Sequence, residues 1–99
     1  MTFQQIKVVI HGRVQGVFYR QSTHTIATKL NVTGYVRNTH KGTVEALFEG
    51  NKENINKMLE WCKIGPSLAK VAKIEILERK DINQPDYHTF SIDKTRTGF

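Results

Sequence analysis

Two polar residues, Arg20 and Asn38, sit in sequence surroundings suited to handling an anion. Arg20 closes the stretch "HGRVQGVFYR" (residues 11–20), where Gly12 and Gly16 break an alternating apolar pattern just before a helix is expected. The first turn of a helix leaves backbone N–H groups without intrahelical partners, and the macrodipole adds partial positive charge there. Glycines in such a loop allow positive φ and leave room for an anion to reach the backbone. A guanidinium adds a full charge and a planar fork of donors that matches two phosphoryl oxygens. Together these features make a phosphate cradle. The plainer alternative is two turn glycines and a solvated arginine. No Gly-Lys-Ser/Thr follows, so the stretch is not a nucleotide P-loop.

Asn38 lies in an extended run, where asparagine is disfavoured. Strand parity sends Val36 and Asn38 to one face, and Tyr35 and Arg37 to the other. The amide therefore continues a core face. It is either a polar group aimed at a site or a turn-forming residue ahead of a hairpin.

The elements that must position these residues follow from periodicity. Ile6, Val8 and Ile10 alternate with Lys7, Val9 and His11, which reads as a strand over Gln5–His11. The Gly12–Tyr19 loop follows, and Thr23, Ile26, Ala27 and Leu30 then fall at helical spacing over residues 20–31. "YVRNTH" and "TVEALFEG" are extended runs around a Lys41-Gly42 turn, with Val44, Ala46 and Phe48 on one face and Glu45 and Glu49 on the other. Asn51 caps a second helix with the stripe Ile55, Met58, Leu59 and Cys62, which Gly65-Pro66 ends. "VAKIEILER" is a further strand, and "HTFSI" a short last one. The order strand, helix, strand, strand, helix, strand predicts an α+β, ferredoxin-like βαββαβ sandwich. Its antiparallel sheet carries both helices on one face, with a short extra C-terminal strand. That fold hosts many unrelated activities and names none of them.

Composition bounds the rest. Ninety-nine residues, 38% hydrophobic and 24% charged, make one soluble domain over 1–99, with about 95–99 expected as a C-terminal tail. The single cysteine, Cys62, excludes an intrachain disulfide and fits a reducing cytoplasm. No leader pattern and no apolar span of membrane length is expected. The formal charge of +6 favours anionic partners. His11, His24, His40 and His88 lack ligand spacing with one another or with Cys62, so no metal is expected. His24 is expected as a partly exposed helix residue near the rim of any site at Arg20.

"GRVQGVFYR" (Gly12–Arg20) together with "GYVRNTHKGTVEA" (Gly34–Ala46) closely resembles the acylphosphatase family, whose motifs are G-x-V-Q-G-V-x-[FY]-R and G-[WY]-V-[RK]-N followed by G-[TS]-V. The likeness runs from about Ile6 to Ile92. It implies a small, metal-free and cofactor-free cytoplasmic hydrolase that cleaves the carboxyl–phosphate bond of acyl phosphates without a covalent intermediate. By resemblance, Arg20 binds the phosphoryl group and Asn38 positions the attacking water. The backbone of Arg13, Val14, Gln15, Gly16, Val17, Phe18 and Tyr19 completes the cradle. Nothing in that inventory calls for a second subunit, so a monomer is expected. Tyr35 stands where the family often has tryptophan, and His40-Lys41 where an acidic residue is frequent. "DKTRTGF" extends past the usual ending, where some relatives place a terminal carboxylate beside the arginine.

The residue types suit that chemistry. A carboxylate leaves without protonation, and neither an amide nor a guanidinium serves as a base near neutrality. Orientation and charge stabilisation therefore carry the reaction, as they do in phosphoryl transfer generally. The alternative class is a ferredoxin-like RNA-binding module. "KGTVEALF" puts Thr43 and Glu45 where such a module stacks aromatic rings on bases, which counts against nucleic acid.

Overall fold

The computed structural model of the chain describes the backbone of residues 3–97 and the side chains of residues 3–94. The elements run β1 (Phe3–Arg13), α1 (Tyr19–Lys29), β2 (Thr33–Thr39), β3 (Val44–Asn51), α2 (Lys52–Ile64), β4 (Lys70–Ile82) and β5 (Phe90–Thr97). They form one five-stranded sheet in the order β4-β1-β3-β2-β5, with both helices packed against it. β1, β3, β2 and β4 are antiparallel neighbours, as the periodicity predicts.

β5 departs from expectation in two ways. It pairs in parallel with β2, from Gly34↔Phe90 to Thr39↔Thr97, which makes the sheet mixed. It also continues to Thr97 rather than stopping near Ile92, because β2 offers it hydrogen-bonding partners along most of that length. The expected tail thus begins inside a strand. The side chains from residue 95 onward, and any terminal carboxylate near Arg20, lie outside the described residues.

Period-two alternation makes the core. Ile6, Val8, Ile10, Val36, Val44, Ala46 and Phe48 are fully buried on the helix side. Across the register Ile6 faces Phe48, Val8 faces Ala46, and Ile10 faces Val44. Phe48 stacks on Phe90 at 5.8 Å between centroids. Truncating a ring so placed costs about 3–5 kcal/mol. α2 contributes Ile55, Met58 and Cys62, each fully buried, and Asn51 caps the helix by accepting from the Asn54 N–H at 2.8 Å.

The other face is polar but not solvated. Glu45 accepts from the Tyr35 hydroxyl at 2.6 Å and pairs with Arg37 at 2.9 Å. Glu49, fully buried, accepts from the Gln5 amide at 2.6 Å and from the Tyr87 N–H at 2.9 Å. Burial alone would raise the Glu45 carboxyl. The Tyr35 hydroxyl, Arg37 and Lys7 together outweigh it and hold the group below the usual carboxylate range.

Candidate active site

β1 ends two residues later than its alternation predicts, and α1 begins one residue earlier. The connecting loop is therefore Val14–Phe18. Gly12, just before the loop, and Gly16, within it, do different work. Gly12 lies within β1 at φ 125°, and an added Cβ would sit 2.2 Å from the Lys70 carbonyl oxygen. Its missing side chain admits the backbone of β4 rather than an anion, which corrects the sequence reading at that position. Gly16 has φ 74° with nothing within 4 Å of where a Cβ would stand, so it leaves the loop's outer surface open.

Val14 and Val17 pin the loop from inside, at 1% and 3% exposure. Between them the backbone turns outward. Phe18 takes the left-handed conformation at φ 65°, strained for an aromatic residue, and starts α1 with no side-chain cap and no acidic residue in the first turn. The first backbone N–H after the loop to meet a carbonyl is that of Ser22, on Phe18 at 3.1 Å. Among the described residues, the N–H groups from Gln15 to Gln21 have no acceptor. An uncapped helix start of this kind leaves a group of backbone donors free for an anion.

Tyr19 anchors that helix start. Its ring is buried against Trp61 at 5.5 Å, and its hydroxyl donates to the Cys62 carbonyl at 2.7 Å. Burial raises the phenol far above its ordinary range, and it pushes the Cys62 thiol up to about 12. Both groups are therefore structural rather than acid–base participants near neutrality.

One pocket of about 510 Å³ is lined by Val14, Gly16, Phe18, Tyr19, Arg20, Gln21, Asn38, Ile92 and Lys94. Arg20 and Asn38, eighteen positions apart, thus share a cavity with the loop. Arg20 has no ion pair or hydrogen bond among the described residues. Asn38, 8% exposed, points its side chain to the helix face as strand parity predicts, and its Oδ1 has no partner among the described residues. Buried carbonyl oxygens are normally paired, so an orphan facing a cavity marks a place for a donor.

The remaining expected residues divide. Arg13 is the last residue of β1 and is exposed, outside the pocket lining. Gln15 turns its side chain away, donating to the Thr39 and Thr43 carbonyls at 2.8 Å each. His24 lies against Phe90 at 6.2 Å between ring centroids, not in the pocket. Sequence reasoning does not single out Gln21, Ile92 or Lys94. For the last two, the parity of Phe90, Ile92 and Lys94 was the available signal. Among the described residues no three His, Cys, Asp or Glu side chains group to hold a metal.

Residues 6–92 match the family model described as Acylphosphatase. A relative named Acylphosphatase from Pelotomaculum thermopropionicum is 42% identical over 76 residues, covering 77% of this chain and 83% of its own length. The acylphosphatase structure from Coxiella burnetii superposes with a TM-score of 0.81 at 34% identity, covering 92% of this chain and 93% of that one. The Bacillus subtilis acylphosphatase gives 0.81 at 32% identity, with 91% and 98% covered. The loop, Arg20 and Asn38 all fall inside the matched span, and the chain belongs to the acylphosphatase family of enzymes.

Proposed function

We propose that this protein hydrolyses acyl phosphates to a carboxylate and inorganic phosphate, using Arg20, the loop backbone and Asn38. The supporting observation is a single cavity that gathers unpartnered donors on one wall and an unpaired amide oxygen on another. The guanidinium and the amides from Gln15 onward hold the phosphoryl oxygens. Asn38 Oδ1 accepts a hydrogen bond from a water molecule and so turns the water's oxygen toward phosphorus. That oxygen bonds to phosphorus as the phosphorus–carboxylate bond breaks, and the electron pair leaves on the carboxylate. The water's proton passes to a phosphoryl oxygen.

No step requires a metal, a covalent intermediate or a general acid, because the carboxylate is already a good leaving group. Rate comes from holding the water in line and from stabilising charge on the equatorial oxygens. The reading also makes the protein a cytoplasmic monomer with no nucleic-acid partner. Glu45, at a position where an RNA-binding sheet would present a stacking ring, is instead a buried carboxylate paired with Arg37, and it offers a base no aromatic face.

The test is phosphate release from benzoyl phosphate in excess chelator, beside a simple phosphomonoester. Hydrolysis of the first alone is expected. Arg20→Gln should abolish it while leaving the circular dichroism spectrum unchanged. Near-normal turnover by Arg20→Gln would refute the assignment.

A further inference from the structure

We propose that Gln15 is a positioning residue that sets the spacing between the anion loop and Asn38, an inference that rests on the functional reading above. The two halves of the site come from separate parts of the chain. The amides and Arg20 stand on the β1–α1 connection, and Asn38 stands near the end of β2. Beyond Asn38 the chain turns back through residues 39–43 before β3 begins at Val44.

The Gln15 side-chain amide bridges these halves. Its two N–H groups reach the carbonyls of Thr39 and Thr43, each at 2.8 Å. A primary amide has two such donors, so the clamp uses all of them. Both carbonyls are already engaged within the turn: Thr43 O accepts the Thr39 N–H at 3.0 Å, and Thr39 O accepts the Gly42 N–H at 3.3 Å. The Thr39 and Thr43 hydroxyls meet at 2.7 Å. The turn is thus a closed unit, and Gln15 grips it on the residue directly after Asn38. Gln15 itself directly precedes Gly16, which lines the pocket. This side chain therefore ties the donors for the phosphoryl group to the residue proposed to hold the water.

A general brace and a positioning clamp differ in what they couple. Loosening a brace would weaken phosphate binding and turnover together. Loosening this clamp leaves the loop amides and Arg20 intact as an anion site and misplaces Asn38 relative to it. Its effect must then vanish once Asn38 is gone.

The experiment is a double-mutant cycle of Gln15→Met and Asn38→Ala on benzoyl phosphate, with inorganic phosphate as competitive inhibitor, run well below each variant's melting temperature. Gln15→Met should lower kcat by about 10- to 100-fold, the scale of a sub-ångström to ångström misplacement. KM and the phosphate inhibition constant should move by less than about threefold. In the Asn38→Ala background the same change should cost less than about threefold more. Gln15→Leu, which also lacks both donors and adds no charge, takes the place of Gln15→Met should that variant fold poorly, with the same result expected. Equal losses in both backgrounds would overturn the proposal, as would loss of phosphate inhibition in proportion to kcat, or a Gln15→Met kcat near wild type. An Asn38→Ala variant with near-normal turnover would overturn the functional reading and this inference with it; equal losses overturn the inference alone.

Discussion

The Asn38→Ala substitution removes an amide that is 8% exposed and whose Oδ1 has no partner among the described residues. Two consequences follow, with opposite signs. An unpaired buried acceptor costs about 1–3 kcal/mol of desolvation, and a pocket open to water places Asn38 at the low end of that range. Alanine relieves this cost, and the space it leaves joins an existing cavity of about 510 Å³ rather than creating a sealed void. Stability should therefore hold or rise by up to about 1 kcal/mol, which is about 4–8 °C in Tm for a domain of this size. Turnover should fall by about 10²–10³, or about 2.7–4 kcal/mol, the usual loss for one preorganised polar group at a reacting centre. KM should change little, because the amide acts on the water and not on the bound phosphoryl group. Thermal melting by circular dichroism and steady-state hydrolysis of benzoyl phosphate measure the two effects on one preparation. A Tm that drops by more than about 8 °C alongside near-normal kcat would show that the amide serves the fold, and the water-holding role would be wrong.

The two glycines give a contrasting pair. Gly12→Ala drives a Cβ to within 2.2 Å of a main-chain oxygen and should cost more than about 2 kcal/mol, read by urea unfolding. Gly16→Ala meets no atom and bears only the cost of φ 74°, about 1 kcal/mol, yet should lower kcat/KM more than tenfold by crowding the loop's open surface; comparable unfolding losses for both would contradict this division. Glu45→Gln tests the polar face. The carboxyl is held low in the folded state, so its charge stabilises the fold above the unfolded value of about 4.3 and stops doing so as pH falls through the lowered one. The variant should be about 1–2 kcal/mol less stable at pH 7, and the gap should narrow as pH falls below the unfolded value and through the lowered one, whereas a gap that stays constant into acid would rule out the charge as its source.

Most of this architecture was legible because alternation and helical spacing are strong along β1, β2, β3 and α2, where one face is buried. Asn38 could be placed on the core face from Val36 alone, since parity admits no other answer. The full length of β5 is not legible because "DKTRT" carries no apolar alternation, and its extent is set by the backbone of β2 rather than by its own side chains. Gly12 is ambiguous in the sequence for a related reason. A glycine that admits a neighbouring strand and one that admits an anion look alike until the register between β1 and β4 is known. The Gln15 clamp was invisible because its acceptors are main-chain carbonyls, 24 and 28 positions away, which leave no mark on residue type.

The central claim is that the uncapped start of α1 and Arg20 bind the phosphoryl group. Titrating isotope-labelled protein with inorganic phosphate and following backbone amide and arginine side-chain resonances tests it most directly. The largest shifts should fall on the amides from Gln15 to Gln21 and on the Arg20 guanidinium, and should disappear in Arg20→Gln. Shifts centred elsewhere on the surface, or a saturating response unchanged by loss of Arg20, would contradict it.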